Sequence, residues 1–245
     1  MIGILLAGGD GTRLRSRSGG RNKHLLPVAG EPMIAHGLRK LDEAGIEEVL
    51  LVTGRRHRPD FAAFLAGPRP GPAQVRLVVQ DRPDGIGAAL ARCGPELEGN
   101  RQDLVLLLGD NLFQAPLAPR LEAWREAGSA ARIHLQEVPD CERFGVARLD
   151  ASGRIRELVE KPPAGAPGLA VCGLYFLPPD APEVAAAVPP SARGEVEILD
   201  VLRFWHRRGR LDWAELPGWW VDAGTPEGLD RAEALLGGFR ADSGR

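Results

Sequence analysis

Residues 1–14 read MIGILLAGGDGTRL: a short apolar run stops at a cluster of glycines, and Arg13 follows the cluster. The apolar run, residues 2–6, is rich in Ile and Leu and shows no polar alternation. Residues 49–53, 75–80 and 104–108 have the same character. Such runs are typical of strands that are buried on both faces. We therefore expect these four strands inside a sheet that helices cover.

Segments with helical periodicity lie between these runs. Residues 32–44 begin at a proline, carry apolar side chains at helical spacing and end before Gly45, which are signals for the start and stop of a helix. Residues 86–93 and 117–127 are further predicted helices, the second ending at Gly128. Strands that alternate with helices predict a doubly wound α/β fold with helices on both faces of the sheet.

The second half of the chain has a different pattern. Residues 144–149 and 154–160 flank a turn and predict a β-hairpin, and residues 171–177 predict another strand. Residues 195–208 and 225–236 predict two more helices, and residues 162–167 a loop rich in proline and glycine. We expect these antiparallel strands to join the same sheet, which makes it mixed.

The composition excludes several classes of partner. The 245 residues are 44% hydrophobic and 26% charged, with a formal net charge of -2, which gives no reason to expect binding to nucleic acid or to an anionic membrane. Three cysteines without a CxxC pair argue against a disulfide framework and a cysteine zinc site. No apolar stretch reaches membrane-spanning length and no signal peptide is recognisable, so we expect a cytoplasmic protein.

The glycine cluster predicts a loop that can bring backbone N–H groups close to a ligand. It is not the dinucleotide fingerprint, because the third glycine position falls on Leu14, and it lacks the Gly-Lys-Ser/Thr ending of the Walker loop. A third kind of anion-binding loop is indicated, with Arg13 as its cation. A tight connection with a solvated arginine would leave the same pattern, so this stretch alone does not decide.

Lys23 supports the anion-binding interpretation. It lies between a polar, glycine-bearing segment, residues 15–21, which we expect to be a mobile loop, and an apolar anchor at residues 25–28. That anchor would hold the ammonium close to the Arg13 loop. Two cations and a ring of backbone amides predict a site for a triphosphate.

The stretches LAGGDGTRL (residues 6–14) and NKHLLPVAGEPMI (residues 22–34) resemble the signature of the sugar-1-phosphate nucleotidyltransferases, most closely short-form glucose-1-phosphate thymidylyltransferases. The resemblance continues in the family's order over almost the whole chain. Its further motifs are VQ at 79–80, PDGI at 83–86, LGDN at 108–111, FGV at 144–146, EKP at 160–162, GLY at 173–175, RGEVEI at 193–198 and WVDAGT at 220–225.

The resemblance implies a Rossmann-like mixed sheet of the nucleotide-diphospho-sugar transferase type. It implies one domain over residues 1–245, with a nucleotide-binding part at about 1–130 and a sugar-binding C-terminal part at about 131–240. The implied activity transfers a nucleotidyl group from dTTP to glucose 1-phosphate and releases pyrophosphate by in-line attack, without a covalent enzyme intermediate. The same resemblance leaves a homo-oligomer possible.

The resemblance also assigns catalytic roles. Arg13 would hold the β- and γ-phosphates, and Lys23 would withdraw charge from the α-phosphate. Asp110 follows a buried strand at the end that faces the ligand crevice of such sheets. With the distant Asp222 it would bind Mg²⁺, which takes one or two carboxylates together with phosphate oxygens and water. Without Asp110, Asp222 would be interpreted as a turn residue.

The remaining implied contacts divide into two groups. Gln80 would present its amide to a pyrimidine edge, although it could instead cap a strand. Glu160 and Lys161 would bind the sugar phosphate, although they could instead form a surface ion pair. The nucleotide-binding residues are Leu6, Ala7, Gly8, Gly9, Gly11, Thr12, Arg13, Gln80, Pro83, Gly85 and Asp110. The sugar-phosphate-binding residues are Asn111, Gly145, Glu160, Lys161, Val171 and Arg193.

Departures from the family pattern leave alternatives open. Residues 15–20 replace a proline-containing stretch, and Ala35 and His36 stand where relatives often have tyrosines. The helical extension that carries a regulatory nucleotide site in longer relatives is missing from the sequence, so we expect no comparable allosteric site.

His24 is expected to support the site and not to act as an acid or base. The alternatives are the same chemistry with UTP, CTP or another phosphate or phosphonate acceptor, and a non-catalytic nucleotide-sugar-binding regulatory subunit.

Overall fold

Strand β1 (Ile2–Ala7) occupies the middle of the main sheet, as the opening stretch predicts. The computed structural model describes residues 1–9, 11–163, 165 and 167–242. Within them the main sheet has nine strands. The other eight are β4 (Glu48–Gly54), β5 (Gln74–Gln80), β6 (Leu104–Leu108), β8 (Ala131–Val138), β9 (Gly145–Leu149), β10 (Ile155–Glu160), β11 (Gly168–Leu177) and β12 (Leu211–Glu215).

The strand order is β10-β9-β11-β6-β1-β4-β5, and β8 pairs with β11 and with β12. Strand β1 is parallel to both β4 and β6, and β4 is parallel to β5. The carboxyl ends of these four strands therefore meet at one edge. Strand β11 is antiparallel to β6 along Leu174–Leu177 and pairs with β9 near its start, so it joins the hairpin of β9 and β10 to the parallel part.

Alternate side chains of β1 enter two hydrophobic clusters on opposite faces of the sheet. Ile4 and Leu6 pack with α4 (Ile86–Arg92), α6 (Ala181–Ala186) and α7 (Ile198–His206). Leu5 and Ala7 pack with α2 (Met33–Glu43), α3 (Arg58–Ala66) and α5 (Ala118–Ala127). Burial on both faces explains why the strand sequence shows no polar alternation.

A third cluster lies beneath the ends of the parallel strands, and we call it the floor cluster. It contains Leu14, Leu26, Val28, Met33, Leu112, Val221, Ala223, Leu229 and Ala232. Two short ladders contribute to it, β2 (Pro27–Val28) with β3 (Glu31–Pro32), and β7 (Asn111–Phe113) with β13 (Trp220–Asp222). The long helix α8 (Pro226–Asp242) contributes Leu229 and Ala232.

Helix α8 is also tied by polar contacts to the segments that follow the glycine-rich loop. Arg17, in the short helix α1 (Arg15–Ser18), forms a two-armed ion pair with Asp230, in which Nη2 donates to Oδ2 at 2.9 Å. The backbone N–H of Ala29 donates to Glu233 Oε2 at 2.6 Å. The C-terminal helix therefore packs against the N-terminal loop.

The predicted fold class is confirmed, but several predicted boundaries are wrong: the last helix extends to Asp242 and β11 begins at Gly168. The helix predicted at residues 195–208 begins only at Ile198, because the backbone of Val196 bonds to the start of α4 and the loop before it. Its N–H donates to Asp84 O and its carbonyl accepts from Gly87 N, both at 2.8 Å. Residues 15–18, expected to be loop, form α1. None of the described helices is long and apolar enough to cross a bilayer.

Strands β8 and β12 and helix α3 are absent from the sequence prediction. Buried polar side chains interrupt the apolar character of β8: Arg132 forms a two-armed ion pair with Asp212 of β12, and His134 is fully buried against Phe176. The charge of Arg132 is compatible with the interior because Asp212 pairs with it. The sequence alone does not show which residue forms this pair.

The central position of β6 predicts a large cost for a cavity there. Leu106 is fully buried between Ile4 of β1 and Tyr175 of β11. We expect Leu106→Ala to lower the free energy of unfolding by about 2–5 kcal/mol, as measured by urea denaturation. The control Leu65→Ala removes a half-buried leucine of α3, and a loss as large as that of Leu106→Ala would contradict the prediction.

Candidate active site

A cleft of about 400 Å³ opens at the carboxyl ends of the parallel strands and extends to the start of β9. Most of the residues that the sequence predicts for the site line its wall. They are Leu6, Gly8, Gly9, Arg13, Lys23, Gln80, Pro83, Gly85, Asp110, Asn111, Gly145, Glu160, Lys161, Val171 and Asp222. Residues more than 200 positions apart in the sequence therefore share one cavity.

Several predicted residues are placed differently. Ala7 is buried behind the wall, and its carbonyl accepts a hydrogen bond from Asn22. Gly11 packs against the Lys23 side chain and does not line the cleft wall. Arg193 is exposed and does not line the wall itself, but it pairs with Glu160 and Glu197, which do. The Thr12 side chain lies outside the described part of the chain, as does Asp10.

Asn22 fixes the position of Lys23. Its side chain is buried, its Nδ2 donates to Ala7 O at 3.1 Å, and its Oδ1 accepts from His24 N at 3.0 Å. These bonds join the short turn at Lys23–Leu25 to the end of β1. His24 is buried beside Lys23, and burial together with the nearby ammonium lowers the pKa of His24 to about 3. His24 is therefore neutral at pH 7, and its backbone N–H bond to Asn22 Oδ1 belongs to the turn.

Lys23 and Asp110 form an ion pair at the centre of the cleft. The ammonium contacts Asp110 Oδ2, and each side chain is about 15% exposed. Burial alone would raise the pKa of Asp110, but the Lys23 ammonium holds it well below its usual range. Burial alone would likewise lower the pKa of Lys23, and the Asp110 carboxylate raises it instead. Both groups are therefore charged over the physiological pH range.

Asp222 approaches the same point from β13. Its Oδ1 accepts from the backbone N–H of Gly224 at 2.9 Å, and its Oδ2 lies 3.4 Å from Arg143 Nη2. Burial and the neighbouring Asp110 carboxylate raise the pKa of Asp222. Two like charges held close together are unfavourable unless a cation joins them.

The two carboxylates fit a divalent metal ion. A Cβ placed on Gly224 would lie 2.8 Å from Asp222 Oδ1, 3.0 Å from Asp110 Oδ2 and 3.2 Å from Lys23 Nζ, so the three groups surround one point. Among the described residues no cluster of three or more carboxylate, histidine or cysteine side chains could hold a metal. Two carboxylates leave coordination positions for phosphate oxygens and water, which suits a hard cation.

Gln80 closes the end of the cleft below Gly8. Its Nε2 donates to Asp84 Oδ1 at 2.7 Å and to Gly85 O at 3.1 Å, which commits both amide hydrogens. Its Oε1 points to Gly8, where an added Cβ would lie 2.6 Å away, so only glycine leaves room. The group that Gln80 presents beside the glycine loop is therefore a hydrogen-bond acceptor.

The opposite end of the cleft carries a network of carboxylates. Arg193 Nη2 donates to Glu197 Oε1 at 2.6 Å and to Glu160 Oε1 at 3.2 Å. Glu197 is buried, and burial together with Glu197 raises the pKa of Glu160. Lys161 has a left-handed backbone with φ of 46°, a conformation that non-glycine residues adopt rarely and often at functional sites.

Other wall residues were not assigned to the site from the sequence. They include Arg143, Tyr175, Glu195, Glu197, Leu199 and Trp220. All of them lie inside or beside the motifs FGV, GLY, RGEVEI and WVDAGT, and that proximity is the signal that could have identified them. Trp220 is buried and donates from Nε1 to Asn111 Oδ1 at 2.8 Å.

The arrangement suits a substrate that carries several phosphates. Arg13 and Lys23 supply positive charge in the cleft, and Asp110 with Asp222, which meet Lys23 at one point, could supply ligands for a metal. Fixed charges of this kind stabilise charge that develops during displacement at phosphorus and need no strong base.

Comparison with known proteins agrees with this chemistry. A family model described as nucleotidyl transferase matches residues 2–237. The low-salt glycan biosynthesis nucleotidyltransferase Agl11 of Haloferax volcanii is 33% identical over 96% of this chain and 66% of its own length. A glucose-1-phosphate thymidylyltransferase of Xanthomonas campestris is 36% identical over 96% of this chain and 80% of its own length. The chain thus spans just under two thirds of the Haloferax protein.

Two solved structures share the fold over nearly the whole chain. A Bacillus anthracis protein crystallised with sucrose has a TM-score of 0.86 at 37% identity, covering 97% of this chain and 96% of its own. A UDP-glucose pyrophosphorylase complexed with UDP-glucose has a TM-score of 0.83 at 25% identity, covering 96% of this chain and 97% of its own.

The position of Gly224 predicts that a single methyl group disturbs the metal site. We expect Gly224→Ala to displace the two carboxylates and to weaken Mn²⁺ binding by about 10–100-fold, as measured by electron paramagnetic resonance on the protein without substrate. Gly237→Ala is the matched control, because nothing lies within 4 Å of a Cβ there. Equal Mn²⁺ affinity in the two variants would contradict the prediction.

Proposed function

Since the chain belongs to the sugar-1-phosphate nucleotidyltransferase family and is a nucleotidyltransferase, we propose that it transfers the thymidylyl group of dTTP to glucose 1-phosphate and releases pyrophosphate. One observation carries the proposal: Lys23, Asp110 and Asp222 surround a single point beside the glycine-rich loop that bears Arg13. Relatives named glucose-1-phosphate thymidylyltransferase support the choice of substrates.

In the proposed reaction an oxygen of the acceptor phosphate attacks the α-phosphorus, and the bond to the pyrophosphate oxygen breaks. Lys23 neutralises charge on the α-phosphate, and Arg13 stabilises the departing pyrophosphate. Asp110 and Asp222 would hold Mg²⁺, which supplies Lewis-acid charge neutralisation when it is bound. The buried turn at Asn22 and the floor cluster keep Lys23 in place, so the chain mainly orients the reactants.

The Gln80 acceptor supports a base that carries an N–H group at its pairing edge. Thymine and uracil have a hydrogen on N3, which the Gln80 oxygen can accept. Cytosine has a lone pair on N3, so the Gln80 oxygen and N3 would face each other as two acceptors and both would stay unsatisfied. Uridylyl transfer is the second candidate. Thymine and uracil differ by one methyl group, and such a group contributes only about 1–3 kcal/mol of binding free energy in a pocket. A UDP-glucose pyrophosphorylase also shares the fold. The cytoplasmic location and a homo-oligomer stay predictions.

The proposal predicts the result of a pyrophosphate-release screen over dTTP, UTP, CTP and several sugar 1-phosphates with Mg²⁺. We expect turnover with dTTP and glucose 1-phosphate, and losses of about 10²–10³-fold for Asp110→Asn and Lys23→Ala. Asp180→Asn is the control, because this exposed aspartate lies outside the cleft. Nucleotide binding without turnover under every condition would instead support a regulatory subunit.

The bond between Gln80 and Asp84 predicts a second effect on base selection. Asp84→Ala removes the closer of the two acceptors that fix the amide, so the Gln80 amide can rotate more easily and present its donor. We expect the preference for dTTP over CTP, as the ratio of their kcat/KM values, to fall at least about fivefold. The neighbouring Asp81→Ala removes a carboxylate that pairs with Arg55 outside the cleft, and a similar fall in that variant would contradict the prediction.

A further inference from the structure

Asp110 and Asp222 are held by matching sets of contacts. One oxygen of each carboxylate accepts from a neutral donor at 2.9 Å, namely Asn111 Nδ2 for Asp110 and the backbone N–H of Gly224 for Asp222. The other oxygen of each carboxylate faces a cation. For Asp110 this cation is Lys23, the residue to which the proposed function gives a phosphate-binding role.

For Asp222 the cation is Arg143, to which the proposed function gives no role. Its Nη2 lies 3.4 Å from Asp222 Oδ2, longer than the roughly 2.7–2.9 Å of a strong charge-assisted bond. Its guanidinium lies 5.6 Å from the centre of the Phe144 ring, and the side chain is 40% exposed while it lines the cleft. The guanidinium is therefore held loosely, and its release from Asp222 costs little.

The segment that carries Arg143 belongs to the acceptor end of the cleft. Phe144 O accepts from the backbone N–H of Lys161 at 3.0 Å, and Gly145 starts β9 beside Glu160. Arg13 and Lys23 instead lie on the segment that follows β1 and the glycine-rich loop, to which the proposed function assigns the nucleotide. A guanidinium on this segment is thus placed to reach the phosphate of the acceptor and not the β- and γ-phosphates.

We propose that Arg143 is an acceptor-phosphate-binding residue that neutralises Asp222 in the substrate-free protein and moves to the phosphate when a divalent cation binds Asp222. The inference rests on the proposed function. A divalent cation held by Asp222 would occupy the carboxylate oxygen that the guanidinium faces and would repel the guanidinium, whereas a phosphate offers the planar guanidinium a two-armed partner. Arg143 would therefore be released to bind the acceptor phosphate in the metal-bound protein.

The first test measures Mn²⁺ binding to the substrate-free protein by electron paramagnetic resonance. Arg143→Gln removes the competing charge and is expected to bind Mn²⁺ about two- to fivefold more tightly, whereas Arg143→Lys retains the charge and stays close to the unmodified protein. Arg148→Gln is the matched control, because it removes an equal charge from β9 at an exposed pair with Glu157. Unchanged or weaker Mn²⁺ binding by Arg143→Gln overturns the proposal.

The second test measures pyrophosphate release in the same variants. Arg143→Gln is expected to raise the KM for glucose 1-phosphate at least about tenfold, with the KM for dTTP within about twofold of its original value. A KM for glucose 1-phosphate equal to that of Arg148→Gln overturns the proposal. If the unmodified protein releases no pyrophosphate, the proposed function fails, and the Mn²⁺ measurement still decides whether Arg143 is the counter-ion of Asp222.

Discussion

The ion pair between Lys23 and Asp110 is the constraint on which the site depends. Each charge is shielded from water and is favourable only because the other is present. Two distant segments must therefore be placed accurately, and the floor cluster does this. It includes Leu14 beside Arg13, Leu26 beyond Lys23, Leu112 beyond Asp110, and both neighbours of Asp222. Apolar packing thus determines where the charges lie.

Asn111 connects the two halves of the cleft. Its Oδ1 accepts from Gly173 N of β11 at 3.1 Å and from Trp220 Nε1 at 2.8 Å, while its Nδ2 donates to Asp110. The antiparallel part of the sheet, through β11, is in this way linked by one amide to the Asp110 carboxylate. A single buried amide with all of these bonds satisfied is a rigid connection.

The parallel strands and the glycine loop follow from the sequence because their signals are local: apolar runs without alternation, glycines at strand ends and the two spaced cations. Strand β8 was missed because Arg132 is acceptable inside the protein only with Asp212, 80 residues away. Glu195 and Glu197 were placed in a helix because the bonds of Val196 to the 84–87 loop have no sequence signature. Arg143 was missed for the same reason, since its partner Asp222 is distant in sequence.

The contacts of α8 have a consequence for biosynthesis. The floor cluster joins Leu14 to Ala232, and Arg17 reaches Asp230, so the segment that follows the glycine loop packs against a helix that is made much later. A chain emerging from the ribosome folds progressively from its N-terminus. The sheet can begin to assemble early, but the nascent polypeptide completes the floor cluster only after α8 has left the exit tunnel.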